Sequence, residues 1–229
     1  MSKHFQREVE RLKRSLLSLS AVVEDAVWVA VKSVEEGHAA SAARVIDGDA
    51  QVDQMEVDIE EECLKILALY HPVAFDLRFI VAVLKMNNDL ERIGDLAVNI
   101  AKRALALAER RLAGLPLDFH DMGAKAKSML RRSLDALVNQ DPDLAREIRK
   151  DDDEMDAMNR AMTERIKVEI RKRPENLDAL LQLLNISRHL ERIADQATNI
   201  AEDVIYLVQG QIVRHKAEDL PSCDSGVLP

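Results

Sequence analysis

The feature that most constrains this chain is an internal repeat. The segment Leu90-Glu91-Arg92-Ile93-Gly94-Asp95-Leu96-Ala97-Val98-Asn99-Ile100-Ala101 returns 100 residues later as Leu190-Glu191-Arg192-Ile193-Ala194-Asp195-Gln196-Ala197-Thr198-Asn199-Ile200-Ala201. Nine of the twelve positions are identical. A shared richness in Leu and Ala would not reproduce Glu, Arg, Asp and Asn in the same order, so the chain reads as a tandem duplication. Pro72 and Pro174 stand 102 positions apart, close to the offset of the motif. The duplicated unit therefore takes in the helix before each motif as well.

Within each copy Glu, Asp and Asn fall at i, i+4 and i+8. On a helix this spacing drifts by only about 40° per step, so the three form one polar stripe. Leu90, Ile93, Ala97, Ile100 and Ala104 alternate steps of three and four, which makes a second, apolar stripe on roughly the opposite side. One face is expected to pack and the other to display acids.

The 229 residues are 47% hydrophobic but only 3% aromatic, with 7 Gly and 6 Pro. That composition supplies little for strands and hairpins and much for helices, so the expected class is all-α. A net charge of −9 argues against a nucleic-acid surface, which needs a clustered basic footprint. Acidic rows point to cations instead. Cys63 and Cys223 have no paired or zinc-binding spacing, consistent with a reducing, cytoplasmic setting. The amino terminus carries no secretion pattern, and no apolar run approaches the ~18 residues of a membrane span.

Proline and glycine divide the chain into six long helical blocks. The expected spans are 5–36, 40–70, 73–111, 119–139, 142–173 and 175–213. The first carries an apolar stripe of Val9, Leu12, Leu16, Leu19, Val23, Ala26, Val27 and Ala30, widened by Trp28 and Val29. The second has Val52, Met55, Ile59, Cys63 and Ile66 facing inward, with Asp49, Asp53, Glu56 and Glu60 in a line beside them. Like charges one turn apart repel, so something positive is expected opposite that line. Asp118 is a candidate cap for the fourth block, and Asp141-Pro142 is a strong start for the fifth. In the second half Asp152, Asp156 and Asn159 match Asp49, Asp53 and Glu56, although the run Asp151-Asp152-Asp153-Glu154 admits a register one residue either way. The expected architecture is two tandem, similar three-helix bundles at 1–114 and 116–214, followed by a frayed tail at 215–229.

Ala43-Arg44-Val45-Ile46-Asp47-Gly48-Asp49, Pro72-Val73-Ala74-Phe75-Asp76-Leu77-Arg78 and the repeated Leu-Glu-Arg-Ile-Gly/Ala-Asp motif resemble, in order and spacing, the PhoU regulators of the bacterial phosphate regulon. The resemblance runs from Phe5 to about Val213. It implies a cytoplasmic homodimer of paired three-helix bundles that turns down phosphate uptake and the phosphate-starvation response, acting between the ATPase subunit of the high-affinity phosphate transporter and a sensor histidine kinase. It implies no reaction; the charge and hydropathy above already argue against nucleic acid and membrane insertion. Some members bind multinuclear metal clusters through acidic E/D-x-x-x-D motifs. The matching positions are Asp49 with Asp53, Glu91 with Asp95, Asp152 with Asp156, and Glu191 with Asp195; Asn99 and Asn199 extend the stripes as amide ligands. Iron, zinc, manganese or magnesium are the divalent or trivalent ions this would admit. Ala194 in place of Gly94, and Asn159 and Thr163 in place of Glu56 and Glu60, leave the second site with less charge.

Three readings of different classes stay open on the residues alone. A non-enzymatic regulator uses the stripes to dock, a metal-storage or carboxylate-bridged redox protein uses them as ligands, and a plain helical scaffold leaves them as solvated faces. The second is weakened by the missing Glu-x-x-His of di-iron bundles: His189 precedes Glu191, and positions 94 and 194 are Gly and Ala. His189 is then a surface or boundary residue, and Arg92 and Arg192 are expected to pair with acids of their own bundle. A scaffold does not account for Glu, Asp and Asn recurring at a fixed offset.

Overall fold

The computed structural model describes residues 3–108, 119–210 and 213. Among them every element is helical: α1 (Lys3–Glu36), α2 (Ala39–Tyr70), α3 (Ala74–Ala108), α4 (His120–Asn139), α5 (Pro142–Lys172) and α6 (Leu177–Gln209), with a 3-10 turn at Pro174–Asn176 leading into α6. The expected Asp118 cap, the end of the third block at Arg111, the boundary between the two halves, Cys223 and the tail at 215–229 lie outside the described residues.

Local chemistry sets the ends of the helices. Gly37 follows α1 with φ 64°, a left-handed conformation that costs glycine nothing. Asp141 accepts from the backbone N–H groups of Asp143 and Leu144, both at 3.0 Å, with Pro142 in the first turn. The sixth helix is shorter than its apolar pattern suggests. Glu175 belongs to the 3-10 turn, and α6 stops at Gln209 because Gly210 takes φ 70° and donates to Tyr206 O at 2.8 Å.

Packing follows the stripes. Leu12, Leu16, Leu19, Val23, Val27 and Ala30 of α1 are buried, as are Leu90, Ile93, Ala97, Ile100 and Ala104 of α3. Each fully buried Leu or Ile contributes about 1.5–3 kcal/mol relative to an exposed one. α1, α2 and α3 pack on one another, and α4, α5 and α6 do the same. The halves are not separate bundles on a string, however. α3 packs on α6, and α1 packs on α4, so each helix at the seam meets its own repeat equivalent and a single apolar core runs through both halves. Arg78 Nε reaches Leu207 O at 3.4 Å, Lys85 reaches Asp203, and Arg103 reaches Gln182. The ascending numbers on α3 meet descending numbers on α6, so the two helices run antiparallel. Cys63 is buried in this core, and burial followed by the charges of Glu62 and Glu60 pushes its thiol up to about 12. It stays protonated and inert at neutral pH.

Candidate functional site

The acid rows of neighbouring helices face each other in both halves. In the first, α2 contributes Asp49, Asp53 and Glu56, and α3 contributes Glu91 and Asp95. Asp49, Glu56 and Glu91 are half-buried, while Asp53 and Asp95 are exposed. Burial is the largest cause holding Asp49 above the usual carboxylate range. The charges of Asp53 and Asp95 add to it, and Lys102 opposes it. Glu91 is raised by burial, then by Asp95, Asp53 and Glu56, against Arg92. Because Asp49 responds to Asp95, and Glu91 to Asp53 and Glu56, the two rows share one electrostatic environment across the α2–α3 groove.

The second half repeats the arrangement in a drier setting. Asp152 and Asp156 of α5 stand opposite Glu191 and Asp195 of α6, and all four are half-buried. Asp195 is pushed up to about 6 by burial first, then by Glu191, Asp152 and Asp156. Glu191 is raised by burial, Asp156 and Asp152, and Asp152 by burial and then Asp156. Thr198 Oγ1 donates to Asp152 Oδ1 at 3.3 Å, which partly offsets the rise.

Side-chain contacts fix the register that the sequence left open. Asn87 Nδ2 donates to Glu56 O at 2.9 Å and to Glu56 Oε1 at 3.2 Å. At the repeat-equivalent place Ser187 Oγ bonds Asn159 Oδ1 at 2.7 Å. Glu56 and Asn159 therefore occupy the same position in the two halves. Asp151 turns the other way, toward α4, where Lys125 Nζ holds it at 2.7 Å. Asp152 is thus the member of its run that faces α6.

Other candidate residues land elsewhere. Asn199 lines a cavity of about 380 Å³ between α3 and α6, with Leu84, Lys85, Asn88, Asp89 and Arg92. The eight-residue step from Glu191 carries it roughly 80° around the helix, away from α5 and toward α3. Asn99 is half-buried on α3, one turn beyond Asp95. Arg92 and Arg192 are exposed and act on Glu91 and Glu191 at longer range. Among the described residues neither arginine forms the expected ion pair with an acid of its own bundle, and Arg92 lines the cavity between α3 and α6. His189 also lies on that side, its imidazole lowered to about 4 by burial, Arg103 and Arg192. Thr198, Asn87 and Lys102 were not singled out from the sequence. Thr198 stands three residues after Asp195, on the same face, and only that spacing marks it.

The donor set of both stripes is oxygen only, which suits hard cations. Burial and mutual repulsion disfavour the charged forms of Asp49, Glu91, Asp152, Glu191 and Asp195, and a bound cation would offset that repulsion. Among the described residues no three His, Cys, Asp or Glu side chains are gathered into a group that could hold a metal as placed. An ion would have to draw the facing rows together. No described helix is long and apolar enough to cross a membrane.

Comparison with known proteins matches this architecture. The PhoU domain family model covers residues 16–104 and again 119–204, one match for each half. The chain is 37% identical to a Pseudomonas putida homolog of the phosphate-specific transport system accessory protein PhoU, over 94% of this chain and 84% of that one. It is 35% identical to a Thermotoga maritima PhoU homolog over 97% of both chains, and 31% identical to Escherichia coli PhoU over 96% of this chain and 91% of that one. The crystal structure of PhoU from Pseudomonas aeruginosa superposes with a TM-score of 0.88 at 36% identity, covering 90% of this chain and all of the other. PhoU from Streptococcus pneumoniae gives 0.84 at 33% identity, over 91% of this chain and 99% of the other. Two tandem family matches, six helices in the expected order and relatives similar over nearly the full length make this chain a member of the PhoU family.

Proposed function

We propose that this protein is a cytoplasmic, homodimeric negative regulator of phosphate uptake and of the phosphate-starvation response. In this reading it carries out no catalysis and docks between the ATPase subunit of the phosphate transporter and the sensor histidine kinase. The relatives' names supply the transport system. The observation that carries the reading is the repeated carboxylate groove, in which Asp49, Asp53, Glu91 and Asp95 in one half correspond to Asp152, Asp156, Glu191 and Asp195 in the other. Burial and like charges oppose the ionisation of Asp49, Glu91, Asp152, Glu191 and Asp195, so the pattern is costly to the fold. They close no core, because the apolar stripes do that. A costly polar pattern displayed twice is best accounted for by a partner or an ion that recognises it.

The test is genetic. In cells lacking the native gene, a stable variant with Glu91→Ala, Asp95→Ala, Glu191→Ala and Asp195→Ala is expected to leave a phosphate-starvation reporter on in high phosphate. Full repression by that variant, at normal abundance and helicity, would place the docking surface elsewhere.

A second reading concerns metal, and it rests on the all-oxygen donors and on the raised proton affinity of Asp49, Glu91, Asp152, Glu191 and Asp195 among them. Iron, zinc, manganese or magnesium would bridge α2 with α3 and α5 with α6 through the same eight carboxylates. Elemental analysis of protein purified without an affinity tag decides it. Asp95→Asn should empty the first groove alone, and unchanged metal in the Asp95→Asn, Asp195→Asn double variant would exclude the reading.

A further inference from the structure

The hairpin α1–α2 and its repeat equivalent α4–α5 share one register. α1 ends at Glu36 and α4 at Asn139, and Glu56 matches Asn159, so both helices of the pair shift by 103 residues (139 − 36 and 159 − 56). In the second half a network of opposite charges fills the space between the two helices. Lys125 of α4 holds Asp151 at 2.7 Å and Glu154 at 2.6 Å, and Arg132 holds Glu147 at 2.7 Å as well as Asp151. In the first half the equivalents of Lys125 and Arg132 are Val22 and Val29, and those of Glu147, Asp151 and Glu154 are Arg44, Gly48 and Gln51. Both cations of the network are gone, and its acids have become a cation, a glycine and an amide.

A cavity of about 240 Å³ stands in their place. Val22 and Val29 of α1, Val45 and Val52 of α2 and Val98 of α3 wall it, and Gly48 opens into it. Gly48 lies inside α2 without a left-handed φ, and a Cβ built on it meets nothing within 4 Å. Neither backbone nor packing asks for glycine here, and a helix interior disfavours it; what it does is keep the cavity open. Arg44, Asp25 and Asp49 also line the space. Among the described residues no hydrogen bond or ion pair engages the side chain of Asp25 or Arg44.

The charges are separated by sign. The Arg132–Glu147 and Lys125–Glu154 contacts show which positions face each other, so Arg44 stands at the Val29 end and Gln51 at the Val22 end. Arg44 and Asp49 are five residues apart on α2, about 7.5 Å along its axis. Asp25, four residues from Val29, lies nearer Asp49 than Arg44 in the same pairing.

We propose that this cavity binds a small aliphatic zwitterion with its ammonium and carboxylate at opposite ends, the chemistry of an ω-amino acid. The ammonium meets Asp25 and Asp49, the carboxylate takes the fork of Arg44, and the chain between them lies on the valines. At the packing density of protein interiors the volume holds on the order of ten non-hydrogen atoms. The ligand thus supplies the two charges that Lys125 and Glu147 supply in the second half. A simple amine leaves Arg44 unanswered, and an α-amino acid holds its charges too close together to reach both ends. Of the groove carboxylates only Asp49 lines this cavity, so the site does not rest on the regulator reading.

The test is a methyl NMR titration of the full-length, valine-labelled protein with 6-aminohexanoate, beside its isomer leucine and the singly charged hexylamine and hexanoate. Saturable shifts at the Val22, Val29 and Val45 methyls are expected with 6-aminohexanoate, the other three binding at least about tenfold more weakly. Arg44→Gln and Asp25→Asn should each weaken binding about tenfold, in keeping with loss of a charge-assisted hydrogen bond, and Gly48→Leu, which fills the cavity, should abolish it. Asp25 and Arg44 are exposed, so their variants remain informative even if Gly48→Leu alters folding. Absence of saturable shifts at these methyls, leucine or hexylamine binding as tightly as 6-aminohexanoate, or parental binding by Gly48→Leu at normal helicity would each overturn the proposal. The reporter assay for the grooves does not enter, so either proposal can fail alone.

Discussion

Gly123 of α4 faces Val31 of α1 so closely that a Cβ built on the glycine would stand 2.6 Å from Val31 Cγ1. This contact lies between the two halves, and it makes a small residue on α4 a condition of the seam. Gly123→Ala is expected to lower stability by about 1–3 kcal/mol, the usual cost of overpacking a close contact, as read from urea unfolding. Gly94→Ala is expected to cost less, since its nearest neighbour is Val52 Cγ1 at 3.1 Å and Ala194 already occupies the equivalent place. Equal costs would show that the α1–α4 contact has no special tightness.

Asn87 is 1% exposed and ties α3 to α2 through Glu56. Replacing it with Ala removes the donor to a carbonyl and a carboxylate. A loss of about 1–3 kcal/mol is expected, again from urea unfolding, together with a small change at the neighbouring groove. A neutral outcome would mean that water replaces the amide without penalty.

Asp195 gives the protein a pH dependence whose sign is fixed. Its folded carboxyl titrates at about 6, above the ~3.9 of an unfolded Asp, so the folded state holds the proton more tightly. The stability linked to this proton is fully present below the unfolded value and is lost as pH rises through about 6. Metal-depleted protein should therefore melt higher at pH 5 than at pH 7.5. Asp195→Asn should flatten that difference and stabilise the protein at pH 7.5 by on the order of 1 kcal/mol, once the partial exposure of the group is allowed for. A variant that keeps the parent's full pH slope would assign the slope to other groups.

The Asp141 cap is the most local of these features. Asp141→Ala leaves the N–H groups of Asp143 and Leu144 without their acceptor and should cost about 1 kcal/mol. Thermal melts of the variant beside Asp141→Asn, which keeps the acceptor, separate capping from charge.

Much of this protein follows from local rules that the chain carries by itself. The six helices, the stops at Gly37 and Pro72, the Asp141 start and the buried line from Leu90 to Ala104 depend on periodicity and on the backbone limits of glycine and proline, which act within a few residues. The repeat likewise announced two equivalent halves and two equivalent acid rows. How those rows meet their surroundings depends instead on the packing of helices far apart in the chain. α3 and α6 each pack against three helices, so a helix that reads as having one packing face and one displayed face in fact meets neighbours on several sides. That crowding half-buries Glu91, Glu191 and Asp195, carries Asn199 into the seam, and turns Asp151 to α4 while Asp152 faces α6. It also sets Arg103 against His189 and Lys85 against Asp203. These pairings join residues about 80–120 positions apart, and no periodicity encodes them, because a helix wheel fixes angles around one axis and says nothing of which axis lies alongside.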